Sequence, residues 1–121
     1  MRHRNSKAIL NRPADQRKAL IRNLLEGLFL HHKVETTDAK AKALSSAAEK
    51  LITKVKSKDN MNAIRELKKV LFTEAASRKA LEYVQGTKKQ FGFTRKTKTR
   101  MRAGDNALMM QVELISLSEK E

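Results

Sequence analysis

The sequence has no cysteine and no tryptophan, one proline, four glycines, and aromatic residues limited to four phenylalanines and one tyrosine among 121 residues. Without cysteine, disulfides and thiolate metal sites are excluded, and nothing points to an oxidising compartment. The scattered glycines open no GxxxxGK[ST] pattern, so a phosphate-cradling loop for nucleotide hydrolysis has no support. No window approaches the roughly 20 apolar residues of a membrane span, and the opening MRHRNSKAILNR contains no apolar run of signal-peptide length. A soluble, cytoplasmic protein is expected. Acids are also scarce: 13 Asp and Glu face 27 Lys and Arg, for a formal net charge of +14 and a pI near 10.4. Like charges at that density repel one another in the free chain, so an anionic partner is expected.

The apolar pattern predicts one α+β domain. Residues 1–12 carry Arg2, Arg4, Lys7 and Arg12 with His3 and no acid, and read as a basic arm that becomes ordered on a polyanion. From Ala14 to about Leu30, Leu20, Leu24 and Leu28 recur every four residues with Ile21, Leu25 and Phe29 beside them, which predicts a helix with a wide apolar stripe. Arg17, Lys18 and Arg22 lie off that stripe and continue the basic patch of the arm. Val34, Thr36 and Thr37 favour a short strand. A second helix follows, with Thr37 as its cap and Leu44, Ala47, Ala48, Leu51, Ile52 and Val55 as its buried stripe. Asp59 or Asn60 suits the cap of a third helix, Thr73 that of a fourth, and Gly86 the residue just beyond its end. The segments 93–102 and 107–115 alternate as two strands joined through Gly104-Asp105-Asn106. The order is arm, then α-β-α-α-α-β-β, with a small sheet packed on helices in two layers over 13–115, and a short frayed tail at 116–121.

The first strand of that hairpin sets Lys96, Lys98, Arg100 and Arg102 at every second position, with Phe93, Arg95, Thr97, Thr99 and Met101 on the other face. Leu108, Met110, Val112 and Leu114 form the apolar face of the second strand. The expected arrangement turns both apolar faces toward the helices and the cationic row outward. A basic row alone is equally consistent with a solvated strand face.

Catalytic chemistry has no visible constellation. His31 and His32 are adjacent and close a helix with no motif around them, and no metal or cofactor is implied. Nucleic acid is the partner the charge favours, through phosphate contacts that release counterions and make binding salt-dependent. With aromatics so few, and most of them at expected core positions, a platform that stacks splayed bases is not expected.

The residues also resemble a known family. MRHR at the start, LNR at 10–12, RK at 17–18, RN at 22–23, His32, TT at 36–37, KAK at 40–42 and LIT at 51–53 are similar to the bacterial-type ribosomal protein of the large subunit numbered seventeen. GFTR at 92–95, RAGDNA at 102–107, Met109 and ELI at 113–115 match that family's closing pattern. The chain departs from it in carrying Phe91 where a glycine often stands, and in Lys96, Lys98 and Arg100, where the family tends to be more apolar. The resemblance implies a non-catalytic constituent of the large ribosomal subunit that binds large-subunit ribosomal RNA and neighbours other ribosomal proteins near the exit of the nascent-peptide tunnel. Carried onto this sequence, it implies RNA contacts at Arg2, His3, Arg4, Asn11 and Arg12, at Arg17, Lys18 and Arg22, and at Thr94, Arg95 and Arg102, with Asp105 shaping the turn. The residues themselves add Lys7, Lys96, Lys98 and Arg100. The alternative is a free-standing basic regulator that binds DNA or RNA.

Overall fold

The computed structural model describes residues 3, 4 and 6–115. Arg2 and the tail expected at 116–121 lie outside the described residues. The element order is α1 (Ala14–His31), β1 (Lys33–Thr37), α2 (Asp38–Lys56), α3 (Asn60–Val70), α4 (Glu74–Gly86), β2 (Thr94–Met101) and β3 (Leu108–Leu114). This is the expected α+β order. The three strands form one antiparallel sheet in the order β1-β3-β2, so β3 is central and the basic strand β2 is an edge.

Local chemistry explains where the helices begin and end. Pro13 precedes α1 with its φ of −57° suited to a helix start, and Asp15 in the first turn complements the helix dipole without making a side-chain cap. His32 ends α1 in the left-handed region, its N–H donating to Leu28 O at 2.8 Å. Thr73 caps α4 by accepting from Ala76 N at 3.3 Å, whereas Thr37 and Asp59 occupy their cap positions without a side-chain bond to the helix backbone. Gly86 is the last helical residue of α4, and Thr87 leaves in extended conformation. The stop is therefore made by the chain turning extended, not by a left-handed glycine.

The core lies between the sheet and α1, α2 and α4. Phe29, Leu28, Leu44, Ile52, Phe93 and Val112 are among its fully buried side chains. Each contributes on the order of 2 kcal/mol of apolar burial, which is why the i, i+3, i+4 stripes of the sequence become the packed faces. Two of the five aromatics lie outside this core: Phe72 is half exposed and Phe91 stands out in solvent. The joint between α2 and β2 is polar. Glu49 Oε1 accepts from Phe93 N at 2.7 Å, Thr94 N at 2.9 Å and Thr94 Oγ1 at 3.1 Å, and Ser45 and Thr94 share a hydroxyl bond of 2.8 Å.

The register corrects one expectation about the hairpin. Lys96 lies opposite Val112 and Lys98 opposite Met110, and directly paired residues project from the same side of a sheet. Val112 and Met110 belong to the core, so Lys96 and Lys98 are on the helix-facing side. They remain exposed because β2 overhangs the helices as an edge strand. A bulge between Lys98 and Arg100 then inverts the alternation: Arg100 pairs with Met109 and emerges on the open face. A single outward row of four cations therefore does not exist. An unpaired residue at Thr99 divides it.

Candidate nucleic-acid interface

The described part of the arm folds back on the start of α1. Leu10 and Asn11 both have positive φ, 57° and 53°, and Arg12 N donates to Ile9 O at 3.3 Å, closing a tight turn of the primed type. Arg17 Nη1 then donates to Arg12 O at 3.4 Å, tying that turn to the helix. The arm becomes one wall of a groove of about 890 Å³. Lys7 comes from the arm, Arg17, Lys18 and Arg22 from α1, Lys42 and Lys50 from α2, and Lys69 from the end of α3. Among the described residues no acid lines it.

The floor explains how a polymer could approach. Ala43, Ser46 and Ala47 present short side chains along α2, between the longer Lys42 and Lys50 one turn to either side. Positions 42, 46 and 50 are four residues apart, so one helix face carries lysine, serine and lysine in a row. Two of these cations touch acids just outside the groove: Lys42 pairs with Asp38 at 3.4 Å and Lys69 with Glu66 at 3.1 Å. Both lysines are more than half exposed, so these pairs hold them loosely. Glu66 also meets Lys54 at 2.9 Å and Lys58 at 3.9 Å, and the lysine hydrogen bonds pull its carboxyl down to about 2. One carboxylate thereby gathers three lysines at the α2–α3 junction.

Of the residues singled out from the sequence, the structure assembles Lys7, Arg17, Lys18 and Arg22 around this groove. Arg22 has an internal task as well. Its Nε donates to Val70 O at 2.6 Å, and its guanidinium lies over the Phe72 ring at 4.0 Å. His3, Arg4, Asn11 and Arg12 are exposed and do not line the groove. Sequence reading missed Lys42, Lys50 and Lys69. Lysines recur along α2 and close α3, but nothing local to those segments says which of them converge on the arm.

The hairpin residues divide three ways. Thr94 is half buried and its hydroxyl is engaged by Ser45 and Glu49. Arg95 and Arg100 stand on the open face, where Arg95 meets Glu113 at 3.3 Å and Arg100 Nε meets Glu35 at 2.9 Å. Arg102 is in the turn, forked onto Asp105 at 2.9 and 2.7 Å. Asp105 shapes the turn as expected: it also accepts from Ala107 N at 3.3 Å, and these hydrogen bonds, the Arg102 guanidinium foremost, hold its carboxyl at about 2. The side chains of Lys96 and Lys98 make no hydrogen bond or ion pair with the described residues.

Among the described residues no group of three His, Asp or Glu side chains could hold a metal ion, and no helix is long and apolar enough to cross a membrane. What the arrangement offers chemically is a concave, cation-rimmed surface for phosphates.

Comparison with known proteins gives a consistent match. The family described as ribosomal protein L17 matches residues 20–115. The large ribosomal subunit protein bL17 of Desulforapulum autotrophicum is 42% identical, over 95% of this chain and 97% of that protein. That of Sulfurimonas denitrificans is 38% identical over 95% of this chain and 100% of its own length. That of Desulfosudis oleivorans is 40% identical over 98% of this chain, which spans 58% of that longer relative.

Proposed function

Because the chain belongs to the ribosomal protein L17 family, we propose that it binds large-subunit ribosomal RNA through the groove between its basic arm, α1 and α2. Family membership makes it a structural protein of the large ribosomal subunit. The RNA contact is the step we add, and one observation carries it: seven cations from four separate segments converge on one concavity with no acid among the described residues of its lining. Like charges gathered this way raise the free energy of the isolated protein, and a phosphate backbone relieves that repulsion while releasing its own counterions.

The contacts we assign are Arg2, His3, Arg4, Lys7 and Arg12 of the arm, Arg17 and Lys18 of α1, and Lys42, Lys50 and Lys69 facing them. The role assigned is one of binding and scaffolding, with no catalytic step. A place beside the exit of the nascent-peptide tunnel, implied by the sequence resemblance, belongs to the same proposal.

The experiment is sedimentation of cell lysate through a sucrose gradient, at ordinary salt and after a high-salt wash. The expected result is stoichiometric travel with the large subunit that survives the wash, with crosslinks from Lys7 and Lys42 to ribosomal RNA. Protein that stays at the top of the gradient, or spreads over all nucleic acid in proportion to charge, would overturn the reading in favour of a free-standing regulator.

A further inference from the structure

Resting on the RNA-binding reading above, we infer that Lys96 and Lys98 extend the arm groove into a second phosphate track along the helix-facing overhang of β2, so that RNA lies on the α2 side and the open sheet face stays clear of it.

The argument begins from the bulge. With strict alternation, Lys96, Lys98 and Arg100 would share one face. The irregularity at Thr99 leaves Lys96 and Lys98 with Val112 and Met110 and moves Arg100 to the side of Glu35. The two faces of the hairpin are then electrostatically unlike. On the open face Arg100 and Arg95 are matched by Glu35 and Glu113, and Thr99 Oγ1 also donates to Glu35 at 3.3 Å. A phosphate arriving there would compete with carboxylates already in place.

The other face carries Lys96 and Lys98, both exposed and without ion pairs to the described residues. The acids nearest that flank already have partners. Glu49 accepts three hydrogen bonds from Phe93 and Thr94, and Asp38 is paired by Lys42.

Topology brings this overhang beside the groove. α2 leaves β1 at Thr37 and Asp38 and reaches β2 at Ser45 and Glu49, which hold Thr94 and Phe93. It therefore crosses the sheet diagonally and runs opposite to β2, diverging from it as β2 continues to Lys96 and Lys98. Lys42, 65% exposed, stands on α2 between the Ser45 contact and the helix start, on the corner that this divergence opens. Lys42 and Lys50 already rim the arm groove. Side chains two apart on a strand are about 7 Å apart and those four apart on a helix about 6 Å, on the scale of successive phosphates along one nucleic-acid strand. In the track we infer, arm, α2 and β2 form one basic path with Lys42 at its joint. A purely protective role for inward-pointing charges on an edge strand is the rival explanation, since such charges also block edge-to-edge pairing.

The test uses the full chain and an in vitro transcript of large-subunit ribosomal RNA, with binding measured across a salt series. For Lys96→Gln/Lys98→Gln the expected result is a log–log salt slope smaller by about 1.5 and affinity reduced roughly tenfold or more at physiological salt. Lys33→Gln, on the open face opposite Glu113, is expected to leave both unchanged. Lysine acetylation of the wild-type protein, with and without RNA, gives a reading that needs no variant: Lys42, Lys96 and Lys98 should be protected while Lys33 stays reactive. An unchanged slope in the double variant, or protection of Lys33 in place of Lys96 and Lys98, overturns the track and leaves the groove reading standing. Failure of the wild-type protein to bind the transcript overturns both.

Discussion

Glu35 on β1 and Arg100 on β2 are joined at 2.9 Å across the central strand β3, which separates them in the sheet. The contact requires both side chains on the open face, and only the bulge beside Thr99 puts Arg100 there. A basic strand therefore presents one face matched by carboxylates and another whose lysines are open. Net charge alone would have treated those cations as equivalent.

The Glu49 carboxylate is the link between α2 and the start of β2, accepting two backbone N–H groups and one hydroxyl. Glu49→Ala leaves those donors without their partner, and we expect a loss of about 1–3 kcal/mol. That corresponds to a fall in thermal midpoint of several degrees or more for a domain of this size, roughly 4 °C per kcal/mol. Glu49→Gln retains an acceptor oxygen and should lose less. Thermal unfolding followed by circular dichroism reads both, and equal midpoints for Glu49→Ala and the parent chain would show that the joint carries no stability.

Tyr83 is the only tyrosine, so its titration can be followed without interference. Its hydroxyl faces Phe93 O at 3.2 Å and Ile115 O at 3.0 Å, and burial first, then the charge of Glu49, pushes its pKa up from 10.0 to about 12. The folded state thus favours the protonated ring. Its contribution to stability is complete below pH 10 and is lost as pH rises from 10 toward 12. Tyrosinate absorbance should appear near pH 12 in the folded protein and near pH 10 in denaturant. Tyr83→Phe should cost about 1 kcal/mol at neutral pH by losing the hydrogen bond.

At the acid end Glu66 gives the opposite sign. Its pKa is lowered from 4.5 to about 2 by hydrogen bonds from Lys54 and Lys69, so the stability it contributes is present above pH 4.5 and is lost as pH falls toward 2. Glu66→Gln should flatten that part of the curve of stability against pH. Added salt should shrink the difference between the two proteins, since the lysines are exposed.

Removal of residues 1–12 should shift the thermal midpoint little, because apart from half-buried Leu10 every described residue of the arm is exposed. RNA affinity should fall, with a reduction of the salt slope by about 0.7–0.9 for each phosphate that the arm no longer neutralises. Calorimetry and salt-dependent binding on the same truncated protein separate the two effects. A large loss of stability would show that the arm is part of the core.

The elements and their buried sides follow from the residue order. Leu24, Leu25, Leu28 and Phe29 repeat at the helical period, and Leu108, Met110, Val112 and Leu114 at the strand period, so their faces are set by geometry internal to one segment. The basic arm and the Gly104–Asn106 turn were legible for the same reason. The distribution of the charges, by contrast, is a product of how the segments pack. One unpaired residue at Thr99 reversed every side chain after it, and no local pattern announces a bulge whose position depends on pairing with β3. Thr94 looked like a surface contact until α2 brought Ser45 and Glu49 against it, and Arg22 looked wholly external until the end of α3 supplied Val70 O and Phe72. Lys42, Lys50 and Lys69 belong to helices far from the arm in sequence, and only the packing of α1 on α2 and the return of α3 place them around one groove. Period and propensity act within a few residues, whereas a binding surface is made by segments that meet because their apolar faces had to be buried together.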